Sequence, residues 1–468
     1  MTSLPATAVP PLPVSIAAMR EPVSRGDTRS LAWRLQQLDR LEALLKASEQ
    51  PLLEALALDL GKPPVEATYE RIAISQELQA ARRQLRRWMR PRSIGLPVWA
   101  WPGSAMLRPE PLGCVLIIGP WNYPFQLCLI PLVSALAAGN TAVLKPSEHT
   151  AHTSALIRSL VQQHFPAETV QVVEGDGSVA ARLLEERFDH IFFTGGARVG
   201  RLVLAAAAPH LTPVTLELGG KSPAIVLDDA DIPATARRLA WGKSLNAGQT
   251  CIAPDHLLVT PAQRQPLVEA ITMTWRQFHG DDPLASDDLG SVVNTAQFER
   301  LESLLAAARQ RGQVLAGGRS DPARRRIEPT LLAVDDPDRD PLMQEELFGP
   351  LLPVIVVANL QEALERVRRG SKPLTLYLFG GDRQDRRQLL DQTSSGSVCF
   401  NDVVLQGGLT DLPFGGVGDS GMGTYHGEAG FLTFSHRRSV LERSFRFDLP
   451  FRYPPYAGKL PLIQRLLG

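Results

Sequence analysis

Cys251 is one of four cysteines in the chain, and its segment NAGQTCIAPD differs from the apolar settings of Cys114, Cys128 and Cys399. A lone cysteine is commonly an inert small hydrophobe. Here, however, the thiol follows Gly248, Gln249 and Thr250, and the spacing predicts that it sits at a helix terminus, where amide dipoles favour the thiolate. Thirty-four positions upstream, Glu217 ends the apolar run VTLEL and is followed at once by Gly219-Gly220. A carboxyl in such a run is either a buried structural acceptor or a general base whose pKa is raised by desolvation. In GPWNYPFQL, two prolines frame a turn that presents Asn122, whose side-chain amide could donate to a developing oxyanion or simply stabilise the turn. Together the three side chains would provide a nucleophile, a base and an oxyanion donor.

Three further segments suit a nucleotide. AGNTAVLKPSEHT places Lys145 and Glu148 just beyond a strand, where open α/β sheets bind ligands; lysine suits phosphate or ribose hydroxyls and glutamate suits ribose hydroxyls. HIFFTGGARVG sets Gly195 and Gly200 on a strand-to-helix turn that lets backbone approach a pyrophosphate, although GxxxxG spacing alone also describes an ordinary tight turn. EELFGPLLPV carries Glu345, Glu346 and Phe348 ahead of Gly349-Pro350. Beside a nucleotide, one acid could hold a ribose while the aromatic ring packs on a flat one; without a nucleotide, the pair reads as a solvated loop.

These residues need elements to hold them. Leucines recur at three- and four-residue spacing from Leu31 to Leu60, predicting a helical region interrupted near Pro51, and a second amphipathic helix is expected from about Glu66 to Met89. Strand-like runs CVLIIG, TAVLKP, VQVVEG, HIFFTG and PVTLEL then alternate with helical patterns, which predicts a parallel sheet covered by helices. After Gly219-Gly220 the alternation resumes with PAIVLD, HLLVT, PVIVVA, TLYLFG and GSVCFND, enough for a second α/β domain with a cleft between the two. WAWPGSAMLRPE and the alternation from Ser439 to Phe447 look instead like exposed strands of an arm that pairs with another subunit.

At 468 residues the chain has room for about three domains of roughly 150 residues each. Lys+Arg and Asp+Glu both number 49, so no net positive field draws nucleic acid or an anionic membrane, and the expected partners are a small molecule and another subunit. Four scattered cysteines make neither a disulfide framework nor a metal knuckle; no metal is expected, and a reducing, cytoplasmic compartment fits. The stretch 1–15 lacks the pattern of a secretory signal and reads as a disordered tail. Cys114 to Gly139 carries no charge and is long enough to span a membrane, but Gly119, Pro120, Asn122, Pro124, Gln126 and Pro131 break it into a strand, a turn and a short buried helix. The C-terminal KLPLIQRLLG is too short for an anchor and contains Arg465.

Taken together, VTLELGGKS and GQTC at a fixed distance, with PWNYP, KPSE, FTGG…G, EELFGP and PFGGVGDSGMG in order, resemble the aldehyde dehydrogenase superfamily over about Leu31 to Pro455. PWNYPF, SGMGTYHG and FSHRRS are most similar to its class 3 branch, which takes fatty, medium-chain, aromatic and coniferyl-type aldehydes. The resemblance implies NAD(P)-dependent oxidation of an aldehyde to its acid, through a thiohemiacetal and then a thioester on Cys251. Asn122 and the Cys251 N–H would form the oxyanion hole, and Glu217 would activate the hydrolytic water. Lys145 and Glu148 would meet the adenosine ribose, Gly195 and Gly200 the pyrophosphate, and Glu346 with Phe348 the nicotinamide riboside of NAD or NADP. It further implies a homodimer built of two doubly wound α/β domains and a small β bridging arm: residues 16–95 and 112–217 for the cofactor, 218–424 for catalysis, 96–111 and 425–460 for bridging. Arg198 departs from the small residues common in the pyrophosphate loop and bears on NAD against NADP. Two alternatives are weighed: transfer of the acyl group to coenzyme A or another acceptor, which Glu217 opposes, and an inactive scaffold, which the intact trio opposes.

Overall fold

The structure, a computed structural model, describes residues 14–467, so residues 1–13 of the expected tail lie outside the described residues. Ser15, the end of that expected tail, instead caps the helix Ile16–Arg25, its hydroxyl accepting from Ala18 N. The leucine-rich region forms two helices, Leu31–Ala47 and Glu49–Leu60, which meet at Ser48. Pro51 lies in the first turn of the second helix, where its missing N–H costs little, so the break falls just before it. Gly61, at φ 60°, ends that helix in the left-handed conformation glycine tolerates, and Pro64 opens the long helix Pro64–Trp88.

Among the described residues two large sheets form. The first runs in the order Gly421–Met422, Val214–Leu218, His190–Gly195, Cys114–Ile118, Thr141–Lys145, Val170–Val172; all of its pairings are parallel except that of Gly421–Met422. Every residue of Cys114–Ile118 is buried because helices cover both faces. Val115 and Ile117 point into one core and Cys114, Leu116 and Ile118 into the other, as the period of two requires. The second sheet runs Val314–Ala316, Thr330–Ala333, Leu351–Val356, His256–Val259, Pro223–Val226, Thr375–Phe379, Ser397–Phe400, with Val314–Ala316 alone antiparallel. Thr330–Ala333 was not anticipated from the sequence; TLLA is a short apolar run after a proline.

The charge-free stretch from Cys114 resolves into the strand Cys114–Ile118, a turn and the helix Pro124–Ala138. No helix among the described residues is long and apolar enough to cross a membrane. Gly103–Pro111 pairs along its length with Ser435–Arg443, and Arg92–Ile94 adds a third antiparallel strand. The second arm strand thus starts at Ser435 and stops at Arg443, four residues short of Phe447. Pieces lie across the expected domain limits: Arg92–Ile94 belongs to the arm sheet, Gly421–Met422 pairs with Val214–Leu218 of the first sheet, and Gly427–Thr433 packs on Pro124–Ala138.

Candidate active site

The candidate residues gather where the carboxyl ends of the first sheet meet the amino ends of the second sheet. Glu217, the fourth residue of Val214–Leu218, turns away from Leu216 and Leu218, which pack into the core below. It is 3% exposed, and neither carboxyl oxygen has a hydrogen-bond partner. Burial pushes its pKa well above the usual carboxylate range. An unpartnered carboxyl facing a cavity is poised to exchange a proton with whatever enters.

Cys251 lies on the loop before the strand His256–Val259. The helix Ile232–Ser244 gives way to a turn, Leu245–Gly248, in which Asn246, Ala247 and Gly248 take φ of 52°, 53° and 73°. The thiol therefore follows the carboxyl end of a helix, and the expected amide-dipole help from a helix amino terminus is absent. Left-handed backbone at Asn246, Ala247 and Gly248 ends the helical run before Cys251, and no new helix starts at the thiol. Burial first, then the charges of Glu346 and Glu217, push the Cys251 pKa up to about 12, while the amides of Cys251 and Ile252 oppose the rise. The loop is held throughout. Asn246 Nδ2 donates to Asn122 O (2.9 Å) and Gln249 O (3.1 Å), and Gln249 Nε2 donates to Ser291 O (3.0 Å). Tyr377 Oη donates to Ile252 O at 2.5 Å and accepts from Val404 N at 3.1 Å.

Asn122 is buried, and its amide donates to Gln249 O at 3.1 Å, leaving the second N–H of Nδ2 for a ligand. A cavity of about 1310 Å³ joins Asn122, Glu217 and Cys251. Its lining includes the apolar side chains Tyr69, Ile72, Trp121, Trp241, Leu405 and Leu409 together with Gly195, Arg198, Glu346 and Phe348.

The family model described as "Aldehyde dehydrogenase family" matches residues 14–440. The chain belongs to the aldehyde dehydrogenase family. As such it is an oxidoreductase that oxidises aldehydes with NAD or NADP. Human "Aldehyde dehydrogenase family 3 member B1" is 46% identical and covers 96% of both chains. From Rattus norvegicus, "Aldehyde dehydrogenase, dimeric NADP-preferring" is 42% identical over 96% of this chain and 98% of the relative. The substrate-bound state of Staphylococcus aureus AldH superposes with a TM-score of 0.93 at 40% identity, covering 97% of this chain and 98% of that one.

The nucleotide half of the dehydrogenase is unevenly assembled. Gly195 ends its strand and Gly196 caps the helix Ala197–Ala207, with open space where a side chain on Gly196 would stand. A backbone turn free of side chains at a helix amino terminus fits a pyrophosphate. Gly200 lies within that helix, buried, where a Cβ would come within 2.8 Å of Leu218; its smallness lets the helix lie close on the sheet. Lys145 and Glu148 sit outside the cavity lining: Lys145 is buried, donating to Pro146 O at 2.8 Å and pairing with Glu148 at 3.3 Å. Phe348 takes a left-handed φ of 48° and meets Trp121 edge-on at 5.2 Å. Glu346 packs so closely on Gly219 that any Cβ there would collide with its carboxylate, and burial followed by the charge of Asp255 pushes its pKa up to about 8.

Because an ionised Glu346 raises the Cys251 pKa, neutralising it should lower that pKa. Glu346→Gln is expected to be alkylated by iodoacetamide at Cys251 faster than the parent at pH 9, because a larger fraction of the thiol is then thiolate. The gap should narrow below pH 8, where Glu346 is itself protonated. Slower alkylation of the variant would contradict this electrostatic reading.

Several residues that hold the site escaped the sequence reading. Lys62 is 2% exposed; its ammonium pairs with Glu70 at 2.5 Å, donates to Asn122 O at 2.8 Å and lies 4.0 Å from the Tyr123 ring centroid. Glu70 also accepts from Phe125 N and Gln126 N, closing the amino end of Pro124–Ala138. A Lys and a Glu eight positions apart carry no sequence signal for this. Lys221 and Asp255 stand inside the segments GGKS and CIAPD, but nothing in their type or spacing discloses that they pair at 2.5 Å.

Proposed function

We propose that the chain oxidises medium- or long-chain or aromatic aldehydes to carboxylic acids through a covalent intermediate on Cys251. The observation that carries this reading is one cavity lined by Cys251, Glu217 and Asn122 together with apolar side chains and a side-chain-free glycine turn. Cys251 Sγ adds to the carbonyl carbon, and its proton goes to one of the carboxylates whose charges reach it, Glu217 or Glu346. The resulting alkoxide is held by the Cys251 N–H and the free N–H of Asn122. When bound, NAD or NADP supplies the acceptor for the hydride that leaves as the carbonyl re-forms. The thioester left on Cys251 is attacked by water whose proton passes to Glu217, and the sulfur departs as the acid is released.

Gly195, Gly196 and the amino end of Ala197–Ala207 would hold the pyrophosphate, with Gly200 supporting that helix. Glu346 and Phe348 would meet the nicotinamide riboside, and Lys145 and Glu148, opened from their mutual pair, the adenosine ribose. Glu148 disfavours a 2′-phosphate only while rigid, and at the outer side of that pair it is half-exposed, which leaves room for either cofactor. The three-part division and the homodimer belong to the same reading: Ser435–Arg443 and Ser397–Phe400 are edge strands of their sheets, each able to extend across a second copy. One relative is named dimeric. The four unpaired cysteines fit a reducing cytoplasm.

A panel of alkyl and aryl aldehydes run with NAD and with NADP tests this. We expect reduced cofactor to form with both, favouring aldehydes of six or more carbons over acetaldehyde, with no dependence on coenzyme A. Turnover only with coenzyme A would favour acyl transfer, and no turnover would favour a scaffold.

A further inference from the structure

We infer that Lys221 and Asp255, with Arg300, form a clamp on the main chain of residues 342–347, and that as positioning residues they set Glu346 and Phe348 for the cofactor. The inference rests on the role proposed above for those two side chains. Phe348 is bulky, yet it holds a left-handed backbone that such residues avoid unless the surroundings impose it. The segment before it makes no strand or helix beyond a single turn, Pro341–Met343, so its place must be fixed from outside.

Three elements do this. Lys221, three residues past the strand Val214–Leu218, donates to Leu342 O at 3.0 Å and Glu345 O at 2.8 Å. Its ammonium also pairs with Asp255 at 2.5 Å. Asp255, just ahead of the strand His256–Val259, accepts Leu347 N at 2.9 Å. Arg300, on the helix Thr295–Gln310, donates to Leu347 O at 2.6 Å while its Nε donates to Gln297. Main-chain groups on both sides of Glu346 are thereby tied to elements of the rigid frame. Charge-assisted bonds of this kind are the strong ones, and Asp255 is almost fully buried. Lys221 also follows Gly219, against which the Glu346 carboxylate lies, so one short stretch of chain both ties the loop and receives the acid.

Lys221→Met and Lys221→Arg are compared with the parent by steady-state kinetics in both substrates. For Lys221→Met we expect the cofactor KM to rise about tenfold or more while the aldehyde KM stays within about twofold, with Lys221→Arg recovering most of the difference. A general loss of folded enzyme would lower kcat without separating the two KM values. Equal shifts in both KM values, or an unchanged cofactor KM, would overturn the clamp. If Lys221→Met yields no folded protein, Arg300→Met is judged by the same split. A parent inactive on every aldehyde would defeat the functional reading itself, whereas an active parent with unaltered variants defeats the clamp alone.

Discussion

Cys251→Ala is expected to lower aldehyde oxidation by on the order of 10⁴-fold or more, because the variant removes the sulfur proposed to carry the acyl group between hydride departure and hydrolysis. Cofactor binding should survive, since the glycine turn and Glu346 lie on other elements. Steady-state formation of reduced cofactor, read beside cofactor binding by fluorescence, separates the two. Turnover within tenfold of the parent would exclude a covalent route through this thiol. The loss should not come from unfolding: Cys251 is partly accessible, and its loop is fixed by Asn246, Gln249 and Tyr377 and not by the sulfur.

Glu217→Gln should act later in the cycle. The side chain keeps its shape and remains in a site where neither oxygen has a partner, so packing is preserved while the proton acceptor is lost. We expect steady-state kcat to fall by about 10²–10⁴-fold, the usual worth of a general base, with a rapid burst of reduced cofactor retained. The pH profile follows from the direction of the shift. Burial raises the Glu217 pKa, and the carboxyl must be ionised to accept a proton, so parent activity should fall as pH drops through that raised value. The variant should lose this limb. A lost burst would move the role of Glu217 to the first half-reaction, and a limb left intact would assign that titration to another group.

Much of this is legible in the amino-acid sequence. CVLIIG and TAVLKP contain no polar residue on either face until their ends, which is how a strand covered on both sides must read, and both are central strands. Glu217 is conspicuous as an acid in an apolar run ahead of Gly219-Gly220, Asn122 as an amide in a proline-framed turn, and Cys251 as a thiol in a loop that carries Gly248, Gln249 and Thr250. The rest depended on distant partners or on backbone that side-chain identity does not disclose. Ala247 adopts a left-handed conformation that alanine gives no reason to expect, and that turn moves Cys251 off the helix end. Lys145 is the last residue of the strand Thr141–Lys145 and not beyond it, and its ammonium turns back to Pro146 and Glu148, a local bond that spacing does not exclude. Glu70 closes a helix 55 residues away, and Lys62 supports Asn122 across 60; pattern rules of helix or strand period do not reach so far.

The central claim is that the acyl group rests on Cys251, and it is tested most directly by mass spectrometry of Glu217→Gln mixed with an aryl aldehyde and NAD and quenched in acid within one turnover. The account predicts a gain equal to the acyl group, confined to the peptide that carries Cys251 and missing from the double variant with Cys251→Ala. Stoichiometric reduced cofactor with an unmodified Cys251 peptide, or the acyl mass on a different residue, would contradict it.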